Sequence, residues 1–397
     1  MQLVEQHSIA RSDPRFALID AAAFSAKNLY NAANFLLRQA YIFNGQYLSC
    51  RELQRQMRRH DAYRALPVKV AQQVLRLLDK NWQTFLEARS AYQADPSQFV
   101  ARPQLPKYKH KTDGRAVLVY TLQALSKTGL KRGLIQPSRL PITVQTNQAN
   151  LSQVRVVQRV NGYVVEVVYE RQEQPAQGDP ALVAGVDIGV DNLAAIASNK
   201  AGFVPRLVNG CPAKSINQFY NQRKAELQRA LDEPGTTKRL ERLTTQRERR
   251  LNQYLHAASK RVIALLVQEG IGTLVIGNSP LWKPDAQAGR YISRHFEQLP
   301  FARFAEMLRY KAQLAGIHVL VAEESHTSQC SFLDLEPIGR HEHYMGKRVK
   351  RGLFRSAGGQ YLNADVNGAY NIIRKAVPEA FCQGIEAVVV QPVRLAV

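Results

Sequence analysis

The sequence predicts a multidomain α+β protein in which a helical segment, a β-rich segment and a mixed α/β segment follow one another. The 397 residues allow two or three domains with separate cores, and the apolar fraction of 45% excludes a mostly disordered chain. The hydrophobic period is helical between residues 25 and 95 and changes to two between about 117 and 170. Gln, Pro and Gly are frequent in residues 171–180, which indicates a linker and a domain boundary near residue 178.

Two helices account for most of the first segment. Small and apolar residues between positions 26 and 37 recur at spacings of three and four, which is the pattern of an amphipathic helix. A second helix is predicted over residues 66–92, with Pro67 in its first turn, where proline is well tolerated.

Alternating apolar residues in the second segment predict a small antiparallel β domain. Its strands are predicted at residues 116–120, 142–144, 154–157 and 163–168, and Asn161-Gly162 provides the turn between the last two. Nine basic residues and one acid lie between Arg102 and Arg139, so the region around the first strand is also a candidate for binding phosphate.

The third segment has the element order of a ribonuclease H-like α/β domain. Three strands are predicted first, at 182–187, 192–197 and 203–208, and a long helical stretch with an interruption at Pro234-Gly235 follows. The pattern then continues with a strand at 273–277, a helix at 301–315, a strand at 317–322, a loop-rich insert at 325–362 and a helix that begins near Asp365. In this fold, a carboxylate on the first strand and another on a late helix converge at one edge of the sheet.

The charge of the chain indicates a polyanionic partner. The net charge is +22, from 54 Lys and Arg against 32 Asp and Glu. No apolar run approaches the roughly 20 residues of a membrane-spanning helix, and the first residues lack a signal-peptide pattern. The four cysteines are scattered without a Cys-x-x-Cys pair, which is typical of reduced thiols. These features favour a cytoplasmic, nucleoid-associated protein that binds nucleic acid rather than a membrane.

Two aspartates are candidate ligands of divalent metal ions. Asp187 ends an apolar strand, and Asp365 opens a predicted helix that also carries Asn367 and Asn371 on one face. Hard oxygen ligands suit Mg²⁺ or Mn²⁺, and two such ions can cleave a phosphodiester. A similar strand and turn occurs in actin-like ATPases and in ordinary hairpins, and Asp365 would also serve as a helix N-cap. The strong positive charge favours a nuclease over these alternatives.

Six motifs lie in order along nearly the whole chain. They are LYNAA at 29–33, LPVKVAQQVL at 66–75, LPKYK at 105–109, GVDIGVDNLA at 185–194, TSQCS at 327–331 and DVNGAYNI at 365–372. Together they resemble TnpB, the family of transposon-encoded RNA-guided nucleases related to type V CRISPR effectors. The resemblance implies a wedge domain from 1–24 and 96–178, a helical recognition domain from 25–95, and a RuvC-like nuclease domain from 179–397. Residues 325–362 would then be a degenerate, zinc-ribbon-like insert that binds target nucleic acid.

The chain departs from the family pattern at a catalytic glutamate. The strand that typically ends in this residue ends here in Gly277, which cannot bind metal. Glu323 and Glu324 follow the next strand, which runs beside the first at about 5 Å in such a sheet. Successive residues face opposite ways, so one of the two is expected at the metals, and we favour Glu324. The alternative is that both are solvated acids.

The second departure concerns zinc. The family usually carries two Cys-x-x-Cys pairs in the insert, whereas this chain has the single Cys330. His326, Cys330, His341 and His343 match no usual zinc spacing, so we expect no zinc there. The sequence instead predicts a metal-free insert with a small core of Phe332, Leu333, Leu335 and Leu353.

The resemblance implies a monomer that holds a guide RNA from the transposon end and a target double-stranded DNA with an adjacent motif. Asp187, Asp365 and one of Glu323 and Glu324 would bind two Mg²⁺ or Mn²⁺ ions and cleave DNA. The candidate phosphate contacts are Lys107, Lys109, Lys111, Lys131, Arg132, Arg247, Arg249, Arg250, Lys347, Arg348, Lys350 and Arg351. Two alternatives remain open, namely a nuclease-inactive RNA-guided repressor and a DDE-type transposase.

Overall fold

The chain folds into two compact units, Met1–Arg171 and Gln172–Val397. A computed structural model describes residues 1–176, 178–230, 235, 237–278, 299–385 and 387–397. The predicted interruption at Pro234-Gly235 therefore lies largely outside the described residues. Within these ranges, none of the helices combines the length and the apolar character that crossing a lipid bilayer requires.

Helices form much of the first unit. They are α1 (Arg15–Asn44), α2 (Cys50–Met57), α3 (Asp61–Arg64), α4 (Val68–Ala94) and α5 (Lys127–Lys131). The first helix begins ten residues before the predicted segment and ends at Gly45, whose positive φ of 64° is a common helix terminator. Ser49 and Glu52 form a reciprocal capping box at the start of α2.

The β-rich part of the first unit is a four-stranded antiparallel sheet. Its order is β1-β6-β5-β2, and a short two-stranded ladder of β3 and β4 accompanies it. The strands are β1 (Gln2–Ala10), β2 (Leu118–Thr121), β3 (Leu134–Ile135), β4 (Val144–Gln145), β5 (Leu151–Arg159) and β6 (Gly162–Glu170). Burial alternates along β1, so the period of two that is predicted from about residue 116 onward is also present in this first strand.

The second unit is built on a six-stranded mixed sheet of order β11-β10-β7-β8-β9-β15. The parallel core is β10 between β7 and β11, whereas β7, β8 and β9 follow one another as antiparallel hairpins. These strands are β7 (Asp179–Asp187), β8 (Asn192–Ser198), β9 (Arg206–Asn209), β10 (Ile271–Asn278), β11 (His318–Glu323) and β15 (Val393–Leu395). The hairpins followed by parallel crossovers confirm the predicted strand order.

Helices cover both faces of this sheet. They are α6 (Cys211–Arg229), α7 (Lys238–Gln268), α8 (Phe301–Leu314) and α9 (Ala364–Ala376). Alternate strand residues enter different cores: Ala184 and Val186 pack in one cluster with α7 and α8, whereas Val183 and Val275 pack in another with α9. The residues on the α9 side of the strands are therefore the ones that can meet Asp365.

Candidate functional site

Asp187 lies where the end of β7 meets the first turns of α9. Asp187 and Val183 are four residues apart on the strand, so their side chains lie on the same face of the sheet. The side chain of Val183 packs in the core shared with α9. A Cβ at Gly368 of α9 would come within 2.5 Å of Oδ2 of Asp187. The absence of a side chain at Gly368 thus allows the carboxylate to lie directly against the helix.

Asp365, in the first turn of α9, is close enough to Asp187 for the two charges to interact. Burial and the negative charge of Asp365 raise the pKa of Asp187, and the positive charge of Arg348 partly opposes this. Oδ2 of Asp365 accepts a hydrogen bond of 2.7 Å from Asn192, and Nη2 of Arg348 lies 3.8 Å from its Oδ1. Two carboxylates held together in this way are typical of functional sites, because their repulsion destabilises the protein unless a cation offsets it.

Glu324 supplies a third carboxylate on the same face of the sheet. The parallel register pairs Gly277 of β10 with Ala322 of β11, so residue 324 returns to the side of Gly277. A Cβ at Gly277 would collide with Oε1 of Glu324. Burial and the charge of Asp187 raise the pKa of Glu324. The carboxylate of Glu324 therefore fills the space that a side chain at position 277 would take.

Glu323 is directed elsewhere. Its side chain is 60% exposed, and Oε2 lies 3.5 Å from Nζ of Lys375. Its backbone pairs with Asn278 at the end of the parallel ladder. The structure thus groups Glu324, and not Glu323, with Asp187 and Asp365.

The three carboxylates fit a hard divalent cation in chemical type. Oε1 of Glu324 is buried and receives no hydrogen bond from the residues that the structure describes, and such an oxygen is costly unless a cation or donor reaches it. In those same ranges, no three His, Cys, Asp or Glu side chains already form a group that would hold a metal ion. Metal binding would therefore have to draw the carboxylates together.

Asn367 and Asn371, which are predicted on the same helix face as Asp365, are not directed at this site. Both are fully buried, and their amide groups donate to the carbonyl of Cys330 at 2.8 Å. They anchor the segment that precedes the insert to the helix. The N-cap of α9 is Asn363, whose Oδ1 accepts from the backbone N–H groups of Asp365 and Val366, so the alternative of a capping role for Asp365 is also wrong.

The insert contains a three-stranded antiparallel sheet rather than loops alone. Its strands are β12 (Lys347–Lys350), β13 (Leu353–Arg355) and β14 (Tyr361–Asn363). The core of this sheet is formed by Phe354, Leu362 and Ala364 with Leu333. Of the four predicted core residues, Leu333 is the one that packs in this cluster. Phe332 instead stacks on Tyr370 of α9 at 4.3 Å, and Leu335 is 46% exposed. Leu353 is half-buried and lies outside the cluster.

Three of the four residues considered for zinc make other contacts, and His343 is exposed. The thiol of Cys330 is buried and donates to the carbonyl of Gly339 at 3.6 Å. His341 contacts the carbonyl of Pro337 at 2.7 Å, and its ring packs edge-on against Tyr344. His326 pairs with Gln329.

The candidate phosphate contacts fall into three groups. Most are exposed: Lys107, Lys111, Lys131, Arg132, Arg249, Arg250, Lys347 and Lys350. Lys109 is half-buried over the ring of Tyr30, and Arg247 donates to Asn217 and pairs with Glu248, so neither side chain is freely presented. Arg348 and Arg351 form ion pairs with Asp365 and Asp191.

Several residues of the site are not predicted from the sequence. Asn192 orients Asp365, and Asp191 joins Lys214, at 2.5 Å, to Arg351. Asp191 and Asn192 lie within the GVDIGVDNLA motif, so their polarity next to Asp187 was the available signal. Gly368 was also a signal of the site, because a glycine inside a predicted helix often marks a place where another group packs closely against the helix.

Replacing Gly368 by alanine is expected to reduce any phosphodiester cleavage at this site by about a hundredfold, the cost of displacing a reacting group by roughly an ångström. The new methyl group would push the Asp187 carboxylate away from α9. Alanine favours a helix by about 1 kcal/mol relative to glycine, so unfolding is not the expected cause. Cleavage rates and thermal unfolding would be compared with those of Gly339→Ala, a position where a Cβ meets nothing within 4 Å. Equal cleavage by both variants would show that Gly368 does not position Asp187.

The fold and the acidic end of the sheet define a RuvC-like, ribonuclease H-like protein. Residues 166–282 match the family model OrfB_IS605, described as a probable transposase, and residues 301–372 match the model of the Cas12f1-like TNB domain. The first range includes Asp187, and the second includes Glu324 and Asp365. These two matches confirm the resemblance to TnpB that the sequence motifs indicate.

Two curated relatives and one solved structure show what the chain is similar to. It is 25% identical over 206 residues to the TnpB-like protein ORF457 of Acidianus two-tailed virus, covering 49% of this chain and 42% of that protein. It is 24% identical over 254 residues to the CRISPR-associated endodeoxyribonuclease Cas12f1 of Sulfoacidibacillus thermotolerans, covering 60% of this chain and 56% of the relative. The chain thus spans about half the length of the curated relatives it matches.

The solved structure is a Cas12f1–sgRNA–target DNA complex determined by cryo-electron microscopy. Its Cas12f1 chain aligns with 90% of this chain and 82% of its own length, at 13% identity and a TM-score of 0.54. This likeness concerns the fold, and it confirms the predicted multidomain α+β class.

Proposed function

We propose that the protein is an RNA-guided DNA endonuclease of a transposable element, with Asp187, Glu324 and Asp365 as the ligands of two Mg²⁺ or Mn²⁺ ions. The observation that carries the proposal is the convergence of these three carboxylates on the α9 side of the sheet, with Oε1 of Glu324 buried and lacking a partner among the described residues. The match to the OrfB_IS605 model and the activity named for the Cas12f1 relative support it.

Each of these residues would have a separate role in the proposed cleavage reaction. The bound ions would activate water and stabilise the charge that develops on the phosphodiester oxygens. Asp187 and Glu324, whose pKa values are raised, would release their protons as the cations bind. Asn192 would keep Asp365 oriented through its hydrogen bond to Oδ2.

The partners in this proposal are a guide RNA and a target double-stranded DNA. The net charge of +22 suits both, since basic side chains neutralise phosphates without reading sequence. Sequence discrimination would come from pairing between guide and target, as in other RNA-guided effectors. The exposed basic residues Lys107, Lys111, Lys131, Arg132, Arg249 and Arg250 are the candidate contacts with the sugar-phosphate backbone.

Guide-dependent cleavage of a plasmid is the direct test. The protein would be expressed with its flanking element DNA, and the ribonucleoprotein would be incubated in Mg²⁺ with a target library that carries randomised flanking sequence. We expect double-strand cleavage next to one short motif, and none with a mismatched guide. Tight guide-dependent binding without cleavage would instead establish an RNA-guided repressor, whereas guide-independent strand joining would establish a transposase. A repressor is the alternative that Gly277 favours.

A further inference from the structure

The insert contacts the acidic site through two arginines of one short segment. Arg348, on β12, places Nη2 at 3.8 Å from Oδ1 of Asp365. Arg351, in the turn that follows, pairs with Oδ2 of Asp191, which lies between β7 and β8. The two acids belong to different elements of the nuclease sheet and helix, so this segment bridges them.

The bridge occupies the side from which a cation would reach Asp365. A guanidinium beside a carboxylate and a divalent ion on that carboxylate are competing ways to offset the same negative charge. Asp365 has its other oxygen engaged by Asn192 at 2.7 Å, so Oδ1 is the atom that Arg348 and a metal ion would contest.

The segment is weakly held and therefore able to move. The side chains of Arg348 and Arg351 are 50% and 77% exposed, and ion pairs in that range of exposure stabilise a structure only slightly. In the described part of the chain, β12 pairs with β13 alone, and the register shifts between Arg348 and Lys350. All four residues of β12 are exposed.

Phosphate is the group best able to release these arginines. Guanidinium binds phosphate through two parallel hydrogen bonds, and such charge-assisted pairs are stronger than the contact of Arg348 with Asp365 at 3.8 Å. Arg351 pairs closely with Asp191, but its 77% exposed side chain is open to a competing phosphate. Lys347 and Lys350 on the same strand add positive charge that attracts a nucleic-acid backbone.

We propose that residues 347–351 form an autoinhibitory latch that occupies the carboxylate site until nucleic-acid phosphates bind Arg348 and Arg351. The proposal rests on the function proposed above. It implies that metal binding is weak in the protein without nucleic acid and strengthens when a DNA strand arrives. A nuclease built in this way does not cut until substrate is present.

Metal affinity in the absence of RNA and DNA tests the latch without relying on cleavage. Mn²⁺ binding to the guide-free protein would be measured by isothermal titration calorimetry for the wild type and for the double variant Arg348→Gln/Arg351→Gln. The matched control is Lys347→Gln/Lys350→Gln, which removes the same charge from the same strand. We expect the arginine variant to bind Mn²⁺ about twofold to fivefold more tightly than the control, the range that exposed ion pairs provide.

The same Mn²⁺ titrations would be repeated in the presence of a short single-stranded oligonucleotide. It should tighten Mn²⁺ binding by the wild type and have little further effect on the arginine variant, because the latch is already open there. Equal affinities of the arginine and lysine variants, or weaker binding by the arginine variant, would overturn the latch. Loss of Mn²⁺ binding from every protein, including the wild type with oligonucleotide, would instead overturn the proposed metal site itself. The two failures are therefore distinguishable.

Discussion

Changing Asp187 to asparagine is expected to lower guide-dependent DNA cleavage by about a thousandfold or more, because each metal ion contributes several kcal/mol to the transition state. Asparagine keeps the shape of the side chain and removes the charge that would bind the cation. Asp365→Asn should behave in the same way. Guide RNA binding should be unchanged in both, since neither residue belongs to the exposed basic surface. Cleavage would be followed under single-turnover conditions, with RNA binding measured on the same preparations.

The same substitution should leave the metal-free protein at least as stable as the wild type. Burial and the charge of Asp365 raise the pKa of Asp187, so at neutral pH the carboxylate opposes folding. Asp179→Asn is the matched control, because Asp179 lies at the opposite end of β7 and its side chain accepts from the backbone of Ala181. An Asp187→Asn protein that unfolds well below the wild type, or that still cuts, would contradict a role in metal binding.

Much of this fold follows from local sequence patterns. The period of two after residue 150, with the turn at Asn161-Gly162, predicts the β5–β6 hairpin, and the apolar run before Asp187 predicts β7. The first strand lacks this signal although its burial alternates, because the polar residues Glu5 and His7 stand at two of its inward positions. Periodicity finds strands most readily when one face is consistently apolar.

Local sequence patterns cannot decide between Glu323 and Glu324. Both residues follow the same apolar strand, and alternation says only that they face opposite sides. The register that pairs Gly277 with Ala322 decides which one reaches the site, and a slip of one residue would have exchanged them. Register depends on packing against α9, so it is a tertiary property that neither strand encodes alone.

The position of the insert was still harder to predict. The basic run at 347–351 predicts phosphate binding, but nothing in its composition indicates that Arg348 and Arg351 contact Asp365 and Asp191. Such contacts depend on how Phe332 stacks on α9 and how Asn367 and Asn371 fix the start of the insert. These long-range anchors carry no periodic signal.

Replacing Glu324 by glutamine is expected to abolish cleavage to the same extent as Asp187→Asn, whereas Glu323→Gln should have an effect of less than about threefold. Glu324 presents a buried oxygen toward the other carboxylates, while Glu323 is 60% exposed beside Lys375, where an ion pair has little energetic weight. The two variants are matched in chemistry and differ by one position, so the comparison isolates geometry. Equal activity of the two would remove Glu324 from the site, and loss of activity in Glu323→Gln alone would exchange their roles.

A carboxylate introduced on β10 should partly restore the cleavage that is lost when Glu324 is replaced. In a Glu324→Ala background, Gly277→Glu or the shorter Gly277→Asp would project an acid into the volume that the side chain of Glu324 occupies, at the cost of moving the tip of Ile372. We expect partial recovery of cleavage, within about a hundredfold of the wild type, because small errors in position are costly in catalysis. Gly277→Gln in the same background has nearly the same size without the charge and should remain inactive. Recovery by Glu or Asp but not by Gln would establish that the family's strand glutamate and Glu324 place the same charge in the same site from two neighbouring strands.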